Sequence, residues 1–155
     1  MKHILILEDL KDAQRWLADA TRLAWPDADV RFCGTLRSAC QALHERAPEL
    51  CLVDLQLPDG SGVDFIRQCR QQHPEAQLVV ATMYDDDMHL FPALQAGANG
   101  YLLKEDPQEQ IASALLGIVK GVPPLSPQIA RRMLGYFQQA PQGGATELQR
   151  RGLPE

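Results

Sequence analysis

Short apolar runs and amphipathic stretches alternate five times along this chain, and that alternation leaves few folds open. Residues 4–7, 30–33, 50–53, 78–81 and 101–103 have the length and character of strands. Between them, Ala13, Trp16, Leu17, Ala20 and Leu23, then Leu36, Ala39, Cys40 and Leu43, recur at helical spacing. Ser61 is a good N-cap for a third helix carrying Val63, Ile66 and Cys69. A fourth helix falls between Asp86 and Ala96, with Gly97 to close it. Pro92 lies inside that segment, which predicts a helix that is short or irregular in its first turns. Pro107 opens a fifth helix with Ile111, Leu115, Ile118 and Val119 on one face. Strands alternating with helices of this length imply right-handed βαβ units and a parallel sheet covered on both sides.

The expected fold class is α/β: a doubly wound, flavodoxin-like, five-stranded parallel sheet of order 2-1-3-4-5 with a C-terminal extension helix. Leu50-Cys51-Leu52-Val53 is apolar throughout, as a strand buried on both faces must be, and it ends in Asp54. Ligands bind at the carboxyl ends of strands in such sheets. Three other runs end in Glu8-Asp9, Thr82 and Lys104. Two carboxylates, a central carboxylate, a hydroxyl and an amine therefore converge on one sheet edge.

Clustered carboxylates have two chemical uses. They bind a hard divalent cation such as Mg²⁺, or one of them attacks a phosphoryl group and becomes an acyl phosphate. The two fit together, because the cation relieves carboxylate repulsion and neutralises charge on a transferring phosphoryl group. Taken singly, each residue has a bland explanation: a Glu-Asp pair after a strand signals a helix start, and a strand-end Lys is solvated. Four strand ends sharing the pattern argue otherwise. Asp85-Asp86-Asp87 is read as a helix-start complement to the dipole and not as a second metal site.

These residues closely resemble the receiver domain of bacterial two-component response regulators over residues 3 to about 120. The motifs are Leu7-Glu8-Asp9, Asp54 with Leu57-Pro58-Asp59-Gly60, Ala81-Thr82-Met83, and Gly100-Tyr101-Leu102-Leu103-Lys104. The resemblance implies that Asp54 accepts a phosphoryl group from a sensor histidine kinase. It implies a Mg²⁺ pocket made by Glu8, Asp9, Asp54 and the Gln56 backbone carbonyl. Thr82 would be the switch hydroxyl, Tyr101 the rotating switch aromatic and Lys104 the phosphate-contacting amine. Glu8 stands where Asp is more usual, and Lys104 is followed by Glu105 where many receivers have proline.

Residues 97–104 and Leu125-Ser126-Pro127-Gln128-Ile129-Ala130 resemble the NarL/FixJ type, whose receivers are joined to a helix-turn-helix domain. Residues 1–121 are read as the receiver and 122–155 as a linker helix plus a flexible linker toward such a domain, absent here. Ser126 is the expected cap of that sixth helix, with Ile129, Met133 and Phe137 on its inner face beside the fifth helix. The net charge of −5 opposes direct DNA binding by this chain, which leaves DNA contact to the output domain. Homodimerisation on phosphorylation is implied. The four cysteines form no C-x-x-C pair, and no apolar run reaches the length of a membrane span, so the chain reads as cytoplasmic. Two alternatives remain. One is a receiver acting only as a protein-binding module. The other is a phosphatase of haloacid dehalogenase type, which wants an Asp where this chain has Gln56. Neither the leading reading nor the first alternative makes the chain an enzyme on a small substrate.

Overall fold

A computed structural model describes residues 1–140. Five parallel strands form the central sheet: β1 (His3–Leu7), β2 (Asp29–Cys33), β3 (Leu50–Val53), β6 (Gln77–Thr82) and β7 (Gly100–Leu103), in the order β2-β1-β3-β6-β7. This is the expected 2-1-3-4-5 order once a small antiparallel pair is counted. That pair, β4 (Gln56–Leu57) and β5 (Gly60–Ser61), lies directly after β3. Periodicity could not have found it, since two residues per strand carry no alternation.

The helices are α1 (Lys11–Ala24), α2 (Leu36–Glu45), α3 (Gly62–Gln72), α4 (Asp87–Ala96), α5 (Gln108–Leu116) and α6 (Pro127–Ala140). They cover the sheet on both faces, so the core divides in two. Leu5, Leu7, Cys51, Val53, Leu78, Val80, Tyr101 and Leu103 face one way, with Phe65, Ile66 and Leu90. Ile4, Ile6, Leu50, Leu52, Val79, Ala81 and Leu102 face the other, with Leu17, Ile111 and Leu115. Successive strand residues alternate between the clusters, as the pleat requires. Cys33, Cys51 and Cys69 are buried thiols and Cys40 is half-buried.

Several local expectations hold. The Ser61 hydroxyl accepts from the Val63 N–H at 3.1 Å. Pro107 sits at the N-cap of α5, and Gly97 closes α4. Others are corrected. Helix α4 runs uninterrupted from Asp87 to Ala96 with Pro92 inside it, not short or irregular. Pro92 is the sixth residue, so it forfeits a single intrahelical bond, and its exposed ring meets solvent. Leu23 and Val119, expected on inner faces, are 56% and 73% exposed. Helix α5 stops at Leu116 and a 3₁₀ turn, Gly117–Lys120, swings Val119 outward.

The carboxyl segment departs most from expectation. Helix α6 lies against α4, not beside α5: Arg132 pairs with Asp87 at 3.0 Å, and the Phe91 and Tyr136 rings meet at 4.8 Å. Ile129 is buried in the core and Met133 is half-buried, but Phe137 is 57% exposed, its ring against Tyr136. Ser126 does precede the helix, yet its side chain serves the sheet instead of its own helix. Strand β7 is an edge strand, and the residues before α6 complete it. The Tyr101 N–H donates to the Pro124 carbonyl at 2.9 Å, the Ser126 N–H to the Tyr101 carbonyl at 3.1 Å, and the Leu103 N–H to the Ser126 hydroxyl at 2.9 Å. The fold thus uses chain beyond residue 121. The Gln-, Pro-, Gly- and Ala-rich stretch from Gln138 onward, expected to be the flexible linker, lies mostly outside the described residues.

A chain ended after Gly121 would lose the Ile129 side chain from the core and leave the outer N–H groups of β7 to water. We expect it to be destabilised by about 3 kcal/mol relative to a chain ended after residue 140, the sum of one buried aliphatic side chain and two or three hydrogen bonds. Urea unfolding of the two chains measures this.

Candidate functional site

Parallel strands that start together also end together, so the polar residues following them are gathered without any further device. β1 delivers Glu8 and Asp9, β3 delivers Asp54, β6 ends in Thr82 and β7 leads into Lys104. Glu8, Asp9 and Asp54 each place a carboxylate oxygen within 4.8 Å of the others.

Each of the inner groups is fixed. Asp54 is 9% exposed. Its Oδ1 accepts from the Leu55 N–H at 2.8 Å, and its Oδ2 faces the Lys104 ammonium at 3.1 Å. Glu8 is wholly buried, with Oε2 accepting from the Leu10 N–H at 3.0 Å and Oε1 in close contact with Lys104 Nζ. Asp9 is exposed. Lys104 thereby bridges Glu8 and Asp54, and its own backbone N–H is tied to the Thr82 carbonyl at 2.9 Å.

Burial pushes the Glu8 carboxyl above its ordinary range, against the opposing pull of Lys104 and the Leu10 N–H. Burial also works against the Lys104 charge, but Glu8 and Asp54 outweigh it and the ammonium is held more tightly than usual. The Thr82 hydroxyl is buried with no hydrogen-bond partner. A buried hydroxyl without a partner costs about 1–3 kcal/mol, so an acceptor brought to it would be bound with that advantage.

The donors suit a hard cation. All are carboxylate oxygens, and of the three acidic groups only Glu8 and Asp54 are paired with the one ammonium. Mg²⁺, which takes oxygen ligands and keeps several waters, fits that set. Gln56 sits in the β4–β5 hairpin two residues beyond Asp54, and its side-chain oxygen accepts from the Tyr84 hydroxyl at 2.7 Å. Tyr101 is fully buried and donates to the Tyr84 carbonyl at 2.6 Å; burial holds its phenol well above the usual range. Tyr84 in turn stacks on His89 at 4.3 Å. The expected site residues therefore fall into two connected groups: Glu8, Asp9, Asp54 and Lys104 with the unpartnered Thr82, and Tyr101 with Gln56 through Tyr84.

For three residues near the site, two of them within the quoted motifs, the sequence does not show the structural role. Asp59 accepts from the Leu36 and Arg37 N–H groups at 2.8 and 3.1 Å, so it caps α2 across the hairpin. Its partners are more than twenty residues away in sequence, which no local pattern reveals. Gly62 is demanded by Asp54 itself, since a Cβ there would lie 2.1 Å from the Asp54 carbonyl oxygen. Ser126 reaches the loop carrying Lys104 from far along the chain. The sequence marks Asp86 as a helix-start residue. It holds the N-cap position of α4, but its carboxylate pairs with His89 at 2.7 Å, and Asp87 pairs with Arg132.

The family model for the response regulator receiver domain matches residues 4–116. The chain belongs to that family. A transcriptional regulatory protein, YhcZ of Bacillus subtilis, is 37% identical over 86 residues, 54% of this chain and 40% of that protein. The oxygen regulatory protein NreC of Staphylococcus carnosus is 32% identical over 100 residues, 64% of this chain and 46% of that one. This chain spans less than half the length of either relative. Among solved structures, a LuxR-family response regulator from Aurantimonas sp. SI85-9A1 has a TM-score of 0.78 and 24% identity. It covers 90% of this chain and 100% of that one. The isolated receiver domain of RcsB from Salmonella enterica has a TM-score of 0.74 at 18% identity, covering 84% and 98%. The structural match to the LuxR-family regulator shows the fold and, at 90% of this chain, extends past residue 121. Among the described residues no helix is long and apolar enough to cross a membrane.

Two outcomes follow from the geometry. A buried acid with a raised pKa binds its proton more readily in the folded state, so its contribution is greatest at low pH and declines as pH rises through the folded value. Glu8→Gln should therefore flatten the loss of stability as pH rises from 4.5, read by urea unfolding at a series of increasing pH values. Gly62→Ala should destabilise by about 2 kcal/mol or more, through displacement of the Asp54 peptide, measured by thermal unfolding.

Proposed function

We propose that Asp54 is the phosphoryl acceptor of this receiver domain, taking the group from the histidine of a sensor kinase. The observation that carries the reading is Lys104, whose ammonium bridges Asp54 and Glu8 beneath an open, acidic strand edge. An Asp54 carboxylate oxygen attacks phosphorus, the phosphorus–nitrogen bond to the kinase histidine breaks, and an aspartyl phosphate results. Asp9 and Asp54, with Glu8 and the Gln56 backbone carbonyl, would hold Mg²⁺, which supplies positive charge against the transferring phosphoryl oxygens. Lys104 orients Asp54 before transfer and neutralises a phosphoryl oxygen after it. Thr82 gives its unpartnered hydroxyl to another.

The output is conformational. An acyl phosphate biases a two-state surface only through contacts that differ between the states. Thr82 gains an acceptor on phosphorylation, and Tyr101, bonded to the Tyr84 carbonyl at the base of α4, is the neighbour that senses its shift. Helix α4 then carries the change to α6 through Asp87–Arg132 and Phe91–Tyr136. By likeness to regulatory relatives whose matched segments make up less than half of their length, the chain is one part of a transcriptional regulator whose DNA contacts lie in an output domain. Homodimerisation on phosphorylation and residence in the cytoplasm belong to the same proposal, as does the division into a receiver (1–121) and a linker (122–155). A haloacid-dehalogenase chemistry is disfavoured, because Gln56 offers no acid where that reaction needs one.

Incubation with acetyl phosphate and Mg²⁺ should add a single phosphoryl group by mass spectrometry. Asp54→Asn should abolish it, Asp9→Ala should weaken Mg²⁺ binding by about ten-fold or more, and removal of the metal by a chelator should stop modification. Modification of Asp54→Asn to the wild-type extent would refute the assignment.

A further inference from the structure

Lys104 is the first residue beyond the edge strand β7, at the start of a turn of three residues leading to Pro107. Its ammonium must reach two carboxylates on two other strands, so the turn that carries it must be held still. The turn has few partners of its own: Asp106 N–H donates to the Leu103 carbonyl at 3.1 Å and Lys104 N–H to Thr82. What holds it from outside is Ser126. Ser126 is 2% exposed, and its hydroxyl accepts from the Leu103 N–H at 2.9 Å on one side of Lys104 and donates to the Asp106 carboxylate on the other.

The docking that brings Ser126 there is built into β7. Gly100 is buried, and a Cβ on it would stand 2.4 Å from the Pro124 carbonyl oxygen and 2.5 Å from the Pro124 ring. Glycine at this place lets residues 124–126 lie along the strand, with Leu125 bridging Tyr101 as a further parallel neighbour. Two independent features, a buried bifunctional hydroxyl and a glycine shaped to its approach, thus serve one contact.

We propose that Ser126 is a positioning residue for Lys104, so that the segment leading out of the domain sets the competence of Asp54 for phosphoryl transfer. The inference rests on the assignment of Asp54 as acceptor. By reciprocity, anything that pulls residues 124–126 from β7 slackens Lys104, and occupation of Asp54 tightens the segment.

The test uses the chain of 155 residues with acetyl phosphate and Mg²⁺. Ser126→Ala should slow acyl-phosphate formation by about five-fold or more, the scale of a small misplacement of a reacting group, while Mg²⁺ affinity stays within about two-fold. Ser126→Thr should restore the rate. Gly100→Ala, which forces Pro124 away without touching Ser126 or Lys104, should reproduce the loss. Asp106→Ala, at a half-exposed position, removes the acceptor of the Ser126 hydroxyl and supplies the same readout should Ser126→Ala fail to fold. A wild-type rate in Ser126→Ala, or in Asp106→Ala where that variant stands in, overturns the proposal. So does a parallel loss of Mg²⁺ affinity, which would mark general loosening. If the unsubstituted chain is never modified, the assignment of Asp54 fails and this inference falls with it; if the chain is modified and the variants match it, this inference alone fails.

Discussion

One ammonium ion, Lys104 Nζ, is set against two carboxylates at the edge of a sheet whose interior is otherwise apolar. Removing an ion from water is expensive, and a buried pair repays that cost only where geometry and added hydrogen bonds are good. Here Glu8 and Asp54 each accept a backbone N–H as well, from Leu10 and Leu55. The arrangement is a poor way to gain stability, since an apolar cluster would serve as well or better. It is a good way to hold a carboxylate aimed.

The parallel sheet makes this arrangement possible. A strand such as Leu50–Val53 is buried on both sides, so polar residues can enter only at its ends. The register between β1, β3 and β6 brings those ends level: Leu7 lies opposite Val53, and Val53 opposite Val80. Glu8, Asp54 and the residues following Val80 therefore meet without long loops. That economy explains why the strand ends were readable from sequence. Apolar runs fix the strands, the strands fix the edge, and the residues one step further are the site.

What sequence could not supply has a common cause. Asp59 capping α2, Ser126 reaching Leu103 and Asp106, and Gly100 yielding to Pro124 are contacts between residues distant in the chain, and each side chain has an ordinary local explanation. Ser126 looked like a helix cap because Ser-Pro before an amphipathic run is one. The position was right and the partner wrong, since an unsatisfied strand edge competes for the hydroxyl more strongly than a solvated helix start. Helix α6 was misplaced for a related reason. Amphipathicity identifies an inner face but not the neighbour, and the Asp87–Arg132 and Phe91–Tyr136 contacts that set it on α4 are invisible to periodicity. Pro92 shows the converse: a strong local rule predicted a disrupted helix, and packing of Leu90 and Ala93 into the core kept it whole.

Asp59 gives the hairpin after Asp54 a second attachment. Its carboxylate closes the first turn of α2, so the loop that would contribute the Gln56 carbonyl cannot shift without uncapping a helix on the far side of that loop. Hydrogen bonding to those two amides also holds the Asp59 carboxyl below its usual range. The amide protons of Leu36 and Arg37 thus become remote witnesses to the site: their exchange with solvent records how often the loop beside Asp54 opens, although neither residue belongs to it.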